Sequence, residues 1–221
     1  MTTTEQKARE EILATIADAQ KVFIVGCGDC ATLCQTGGET EVEEMTAFLQ
    51  ESGKTVTGSV IPDSTCQVLD LGRLLRQHKE AVEMADAVLV LACGAGVQSA
   101  TANLADKTVY SGCDSLFIGN TQRMGNLHEW CSTCGDCVIN EYGGICPVTR
   151  CPKGQVNGPC GGTDQGKCEV DSEQDCVWTL IYQRLEKVPG KEKVESTFFG
   201  PKNFQKSKHP GKRIFEPRRG K

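Results

Sequence analysis

KVFIVGCGDCATLCQTGGETEVEEMTAFLQESGKTVTGSVIP, residues 21–62, decides the fold. Its opening KVFIVG is a short apolar run rich in β-branched residues that ends in glycine, the pattern of a buried strand. ETEVEEMTAFLQESG (39–53) places acidic residues in a first helical turn and stops at Gly53, so it reads as a helix. KTVTGSVIP (54–62) returns to strand. Strand, helix and strand in succession predict a parallel pair with a crossover helix. Working outward, residues 5–20 have helical spacing, with Ile12, Ile16 and Ala19 on one stripe. Downstream, CQVLDLGRLLRQHKEAVEMA (66–85) reads as a helix, and DAVLVLACGAG (86–96) as a strand with a Gly-rich turn. VQSATANLADK (97–107) then reads as a helix and TVYSG (108–112) as a short strand. The expected fold class is therefore α/β, with residues 1–122 forming a small doubly wound, mostly parallel sheet domain.

After about residue 123 the periodicity disappears. Residues 131–176 hold eight cysteines, many glycines and little apolar surface. Such a segment needs metal binding for much of its stability, so 123–187 is read as a cysteine-rich, metal-stabilised irregular domain. CVWTLIYQRLEKV (176–188) closes it as a helix with Trp178, Ile181 and Leu185 facing inward.

Charge divides the chain unevenly. The whole carries −5, yet from Lys187 onward there are 11 Lys/Arg against 3 Asp/Glu, a net +8. Phe198, Phe199, Phe204 and Phe215 interrupt this basic stretch, and Pro189, Pro201, Pro210 and Pro217 oppose a regular helix. Residues 188–221 are thus expected to be a flexible tail or an arm that wraps a partner, with its phenylalanines as anchors. The acidic remainder and the lack of a recognition motif argue against nucleic-acid binding. The first residues, MTTTEQKAREEILATIADAQK, show no apolar core or cleavage signal, and no apolar run approaches the roughly 18–20 residues that span a bilayer. The expectation is a cytoplasmic, reducing location, where fourteen cysteines serve as metal ligands or redox groups more often than as disulfides.

Cys131, Cys134 and Cys137 form a C-x2-C-x2-C run, a spacing that lets one tight loop aim three thiolates at a single cubane. Cys146 and Cys151 each precede a proline, and Cys160, Cys168 and Cys176 complete eight thiols, the complement of two four-iron clusters. Spacing does not fix the partition. One reading pairs the triad with a distal residue such as Cys176 and leaves Cys146, Cys151, Cys160 and Cys168 for the second cluster. Structural zinc is the competing occupant, at one C-terminal site in particular. In the first domain Cys27, Cys30 and Cys34 follow the first strand, Cys66 follows the second, and Cys93 ends the third. Ligands of open parallel sheets bind at the carboxyl ends of the strands, so four of these five could hold a third cluster. Cys113 reads as a core residue. The glycines of GCGDCATLCQTGG lack the G-x-G-x-x-G arrangement of a dinucleotide site. C-G-D-C also fits a dithiol redox pair, but no catalytic motif is present.

EWCSTCGDCVINEYGGICPVTRCPKGQVNGPCGGTDQGKCEVDSEQDCVWTLIYQRL (129–185) resembles the methylenetetrahydrofolate reductase C-terminal family. VGCGDCATLCQTGGETEVEEM (25–45) and VLACGAGVQ (90–98) resemble the N-terminal half of the same family's small iron–sulfur subunit. The resemblance implies two to three [4Fe-4S] clusters. It implies ligands at Cys30, Cys34, Cys66 and Cys93 and at all eight C-terminal cysteines. It also implies a flavin-containing catalytic subunit as partner, which reduces 5,10-methylenetetrahydrofolate to 5-methyltetrahydrofolate in the Wood–Ljungdahl pathway. This chain would then be a non-catalytic subunit that delivers electrons, received from a ferredoxin or another electron-donor complex.

Overall fold

Val22 and Ile24 face one side of their strand and Phe23 and Val25 the other, and all four are fully buried. Only a strand covered on both faces can bury consecutive residues in this way. The computed structural model describes residues 1–123, 125–196, 199–208 and 210–215. Phe198, Pro217 and His209 lie outside them. The chain forms two compact units, Met1–Glu129 and Trp130–Lys221.

Unit 1 runs through β1 (Thr2–Gln6), α1 (Arg9–Thr15), β2 (Lys21–Val25), α2 (Cys30–Leu33), α3 (Glu39–Glu51) and β3 (Thr55–Val60). It continues through α4 (Val68–Gln77), α5 (Lys79–Met84), β4 (Ala87–Val90), α6 (Gly94–Asn103), β5 (Thr108–Ser111), β6 (Cys113–Arg123) and β7 (Asn126–Cys131). Four strands make a parallel sheet in the order β3-β2-β4-β5, with Val22 opposite Ala87 and Val25 opposite Val90. Leu71 and Leu75 of α4, Val82 of α5 and Ala100 of α6 cover one face together with Phe23, Val25, Val88 and Val90. Ile12 and Ile16, with Val42, Met45 and Leu49 of α3, cover the other with Val22, Ile24 and Leu89. This is the doubly wound sheet that the sequence predicts. Because the chain moves from β2 outward to β3 and then back across to β4, the order reverses between β2 and β4. That reversal leaves a crevice at the strands' carboxyl ends.

Three local features differ from the sequence reading. The N-terminal helix covers Arg9–Thr15 only, and Thr2–Gln6 form a strand that pairs antiparallel with β6. The threonines favour a pleated surface, and β6 supplies the ladder that the local sequence could not reveal. The helix ends early because the Lys54 ammonium donates to the carbonyls of Ile16, Ala17 and Ala19 at 3.0, 3.0 and 2.7 Å, satisfying acceptors that another turn would have used. Residues 66–85 form two helices that break at His78 rather than one. Finally, β6 and β7 form an antiparallel hairpin turned at Gly125 (φ +75°), and β1-β6-β7 make a second, three-stranded sheet that the sequence reading did not contain.

Unit 2 has a 3-10 turn at Ile139–Tyr142 and the helices α7 (Pro147–Arg150), α8 (Val177–Leu185), α9 (Lys191–Ser196) and α10 (Gln205–Lys208). Its small core joins Tyr142 to Val177, Trp178, Ile181, Leu185 and Val194. The inward face expected for residues 178, 181 and 185 is the buried face of α8. Tyr142 meets Trp178 and Phe199 edge-on, with centroids 5.5 and 5.3 Å apart. Much of this core therefore comes from α8, with Tyr142 supplied by the loop between Cys137 and Cys146 and Val194 by α9. Among the described residues no helix is long and apolar enough to cross a membrane.

Candidate cysteine metal sites

In unit 1, cysteines collect where the sheet order reverses. Cys27 follows β2 directly, Cys30 begins α2, Cys66 lies in the loop after β3, and Cys93 is the N-cap of α6 just after β4. The loop carrying Cys27–Gly38 folds back over the sheet end: Cys27 N–H donates to Gly37 O at 2.8 Å. A Cβ at Gly37 would fall 1.9 Å from Leu91 O, so only glycine lets the loop lie this close to the end of β4.

Cys27 and Cys93 lie near enough for their charge to raise the thiols of both Cys30 and Cys66. Burial pushes the Cys30 thiol up; the Thr2 N–H opposes it, and Asp29, Cys27 and Cys93 push it further. Burial likewise raises the Cys66 thiol, with Cys93 and Cys27 adding to the effect. Two thiols that resist ionising, Cys30 and Cys66, are stabilised as thiolates by a cation placed beside them. Cys34, like Cys30, is contacted by β1. Its sulfur accepts from Thr4 N–H at 3.5 Å and lies 3.7 Å from Thr2 O, on the side of Cys113. Cys113 is buried, donates to Thr36 O at 3.4 Å, and is pushed up to about 12, chiefly by desolvation.

In unit 2, Cys151, Cys160, Cys168 and Cys176 line one partly open recess, with Arg150, Lys153, Thr163 and Trp178. The local chain accounts for this grouping. Lys167 bridges antiparallel to both Asp164 and Asp175, Cys168 N–H donates to Gln174 O at 2.9 Å, and Cys176 N–H donates to Gly166 O at 2.7 Å. Cys168 and Cys176 are thereby held on neighbouring strands of one small turn. This differs from the sequence reading that gave Cys176 to the triad, because spacing along the chain carries no information about that turn.

At Cys176 the surrounding hydrogen bonds favour the thiolate. Burial alone would raise the Cys176 thiol, but hydrogen bonds from the Thr179 backbone and hydroxyl, the Trp178 backbone and Thr163 outweigh it and leave it below the ordinary thiol range. Lys153 is paired with Glu169, which holds its ammonium up, and the charges of Cys160 and Cys168 add to that effect. The Cys160 thiol lies 3.5 Å from Glu169 Oε1. Gln155 N–H donates to Cys151 Sγ at 3.4 Å, and Trp178 Nε1 holds Gln155 O at 3.1 Å, so the recess wall is tied to the core.

Of the remaining four cysteines, Cys131, Cys134 and Cys137 lie at and just beyond the end of β7, and Cys146 immediately precedes α7. Ser132, between Cys131 and Cys134, donates its N–H to Thr149 Oγ1 at 3.1 Å, and Thr149 Oγ1 is 3.0 Å from Ser132 Oγ. Cys146 is the N-cap of that same short helix. The Arg150 guanidinium stacks over Trp130 at 4.9 Å, closing a second link between the two segments.

All fourteen cysteines are free thiols. Among the described residues no three cysteine, histidine or carboxylate side chains are already arranged around one ion. Four thiolates on a single tetrahedral ion lie about 3.8 Å apart, given bonds of about 2.3 Å. Four thiolates on a cubane each take a different iron and stand farther apart, and four cysteines lining one recess supply the thiolate count of either centre. The donor set thus fits soft metal centres bound through thiolate. Sequence reasoning missed Thr2, Thr4, Lys153, Glu169, Thr163 and Thr179. They act through backbone N–H groups, charges and hydroxyls brought in from distant positions, and leave no motif.

Residues 110–205 match the family model described as methylene-tetrahydrofolate reductase C terminal. The match takes in all eight cysteines of unit 2. No curated protein and no solved structure matches the chain. Over residues 110–205 the chain is thus similar to the methylene-tetrahydrofolate reductase C-terminal family.

Proposed function

We propose that this chain is the iron–sulfur electron-transfer subunit of a methylenetetrahydrofolate reductase complex. It passes electrons to the flavin of a catalytic subunit that reduces 5,10-methylenetetrahydrofolate to 5-methyltetrahydrofolate, as in the methyl branch of the Wood–Ljungdahl pathway. What supports the reading is the placement of the cysteines: Cys27, Cys30, Cys66 and Cys93 lie in loops at the carboxyl edge of the parallel sheet, and Cys151, Cys160, Cys168 and Cys176 line one recess. We assign the third set to Cys131, Cys134, Cys137 and Cys146, since Thr149 ties the triad loop to the helix that Cys146 caps.

Bound clusters supply one-electron transfer at potentials tuned by hydrogen bonds to sulfur. The protein's own residues set those conditions. Thr2 N–H and Gln155 N–H donate to Cys30 and Cys151, hydrogen bonds favour the Cys176 thiolate, and Lys153 places a cation beside Cys160 and Cys168. The family relationship supports a reductase complex as the setting, and electrons would come from a ferredoxin or a comparable donor in a reducing compartment.

Anaerobic purification followed by iron, sulfide and zinc analysis, with electron paramagnetic resonance of the reduced protein, tests the reading. On the order of 12 iron and 12 sulfide per chain is the expected result for three four-iron clusters. A colourless protein holding only zinc would make the chain a zinc-stabilised scaffold and end the electron-transfer reading. Reduction of the catalytic subunit's flavin only when this chain is present is the second expected result.

A further inference from the structure

Residues 199–208, which as sequence look like part of an arm for a partner, touch both cysteine loops of their own unit. At one end Phe199 N–H donates to Asn157 Oδ1 at 2.7 Å and Asn157 Nδ2 donates to Phe199 O at 2.9 Å. Asn157 lies three residues before Cys160. The Phe199 ring anchors this end against Tyr142. At the other end Lys206 Nζ is 3.0 Å from Asp136 Oδ1, and Asn203 N–H donates to Asp136 Oδ2 at 3.4 Å. Asp136 stands between Cys134 and Cys137. Between them Gly135 adopts φ +84°, and a Cβ there would come within 2.8 Å of Ser207 N and 2.9 Å of Lys206 Cβ. The segment therefore lies in backbone contact with the triad loop.

The triad loop needs such support. Thr133 (φ +52°) and Gly135 both sit in the left-handed region, the loop has no regular hydrogen-bonded structure, and Cys131 and Cys137 are exposed. A short loop with two such residues has several alternative conformations, and only contacts from elsewhere select one.

We propose that residues 199–207 are a strap that sets the geometry of the Cys131–Cys137 loop. Lys206 and Asn203 act as positioning residues through Asp136, and Asn157 with Phe199 secures the strap's far end. The inference rests on the metal-binding reading and deepens it: the basic segment serves the chain's own metal site before any partner. Outer-shell contacts of this kind orient thiolates, and their loss typically costs metal affinity about 10–100-fold.

The test uses the full-length protein, purified anaerobically with its metal, as wild type, K206E, K206R, N157A and the charge-exchanged D136K/K206E. Iron release to an external chelator, the resonance spectrum and the midpoint potentials are measured for each. K206E and N157A are expected to release one cluster's iron about tenfold faster, with one resonance signal altered and the others unchanged. K206R and D136K/K206E are expected to return towards wild type, which mere destabilisation of the tail would not produce. Wild-type release rates and spectra in both K206E and N157A would overturn the strap. Metal-free protein gives an independent measurement: alkylation of Cys134 is expected to be about threefold or more faster in K206E than in wild type, on the scale of a lost outer-shell contact. Equal rates would overturn the strap as well. A wild-type chain that never holds iron would overturn the metal reading alone, and the alkylation comparison would still decide the strap.

Discussion

The backbone N–H of Thr2 donates to the sulfur of Cys30 at 3.4 Å, and two residues on the N–H of Thr4 donates to the sulfur of Cys34 at 3.5 Å. One strand, β1, thus reaches two cysteines some thirty positions away and offers them donors without spending a side chain. Hydrogen bonds to a ligating sulfur stabilise its extra negative charge in the reduced state and raise the potential. T2P removes the Thr2 donor at the first residue of a strand, where proline is tolerated. The potential of the unit 1 centre is expected to fall by on the order of tens of millivolts, read by redox titration, while the unit 2 centres stay unchanged.

Cys27 and Cys93 lie near enough to both Cys30 and Cys66 to raise those thiols, whereas the Cys34 sulfur lies against Thr2 and Thr4 of β1. C27S is therefore expected to lose about four iron per chain and C34S to retain them, by iron analysis after anaerobic purification. The reverse result would place Cys34 in the ligand set, as the family resemblance implies.

Cys113 gives a pH prediction of definite sign. Burial raises its thiol to about 12, above the ~8.5 of an unfolded chain, so the fold favours the protonated form. Its contribution is complete below pH ~8.5 and is lost as pH rises towards 12. The stability advantage of wild type over C113A, from urea unfolding, should shrink between pH ~8 and ~10.5. A difference independent of pH would contradict the assignment.

Cys176 should behave in the opposite way. Hydrogen bonds from Thr179, Trp178 and Thr163 hold its thiol below the ordinary range, so in metal-free protein iodoacetamide should label it at a pH where an ordinary thiol, near 8.5, is slow. T179V removes the hydroxyl donor and should shift that labelling profile to higher pH.

Ile181 is fully buried at the centre of the unit 2 core. I181A is expected to cost about 2–5 kcal/mol in denaturant unfolding of the metal-loaded protein. A much smaller loss would mean that metal ligation, rather than this core, carries the unit's stability.

The residues by themselves determined the doubly wound sheet. KVFIVG and DAVLVLACGAG are apolar on consecutive positions, which only a strand covered on both faces accommodates, and the intervening helices carry their own start and stop signals. They also determined that cysteines would gather at the strands' carboxyl ends, because a parallel sheet brings every strand-to-helix loop to one edge. The three-dimensional arrangement alone decided the rest. β1 became a strand because β6, more than a hundred residues away, offered it a ladder. Cys176 joined Cys151, Cys160 and Cys168 because the bridges at Lys167 folded the chain back on itself. Lys206 came to the triad loop because Phe199 found Tyr142. Local propensity and periodicity are written in neighbouring residues, but the pairing of distant backbone groups and charges is settled only when the chain closes on itself, and in this protein that closure selects which sulfurs face one another.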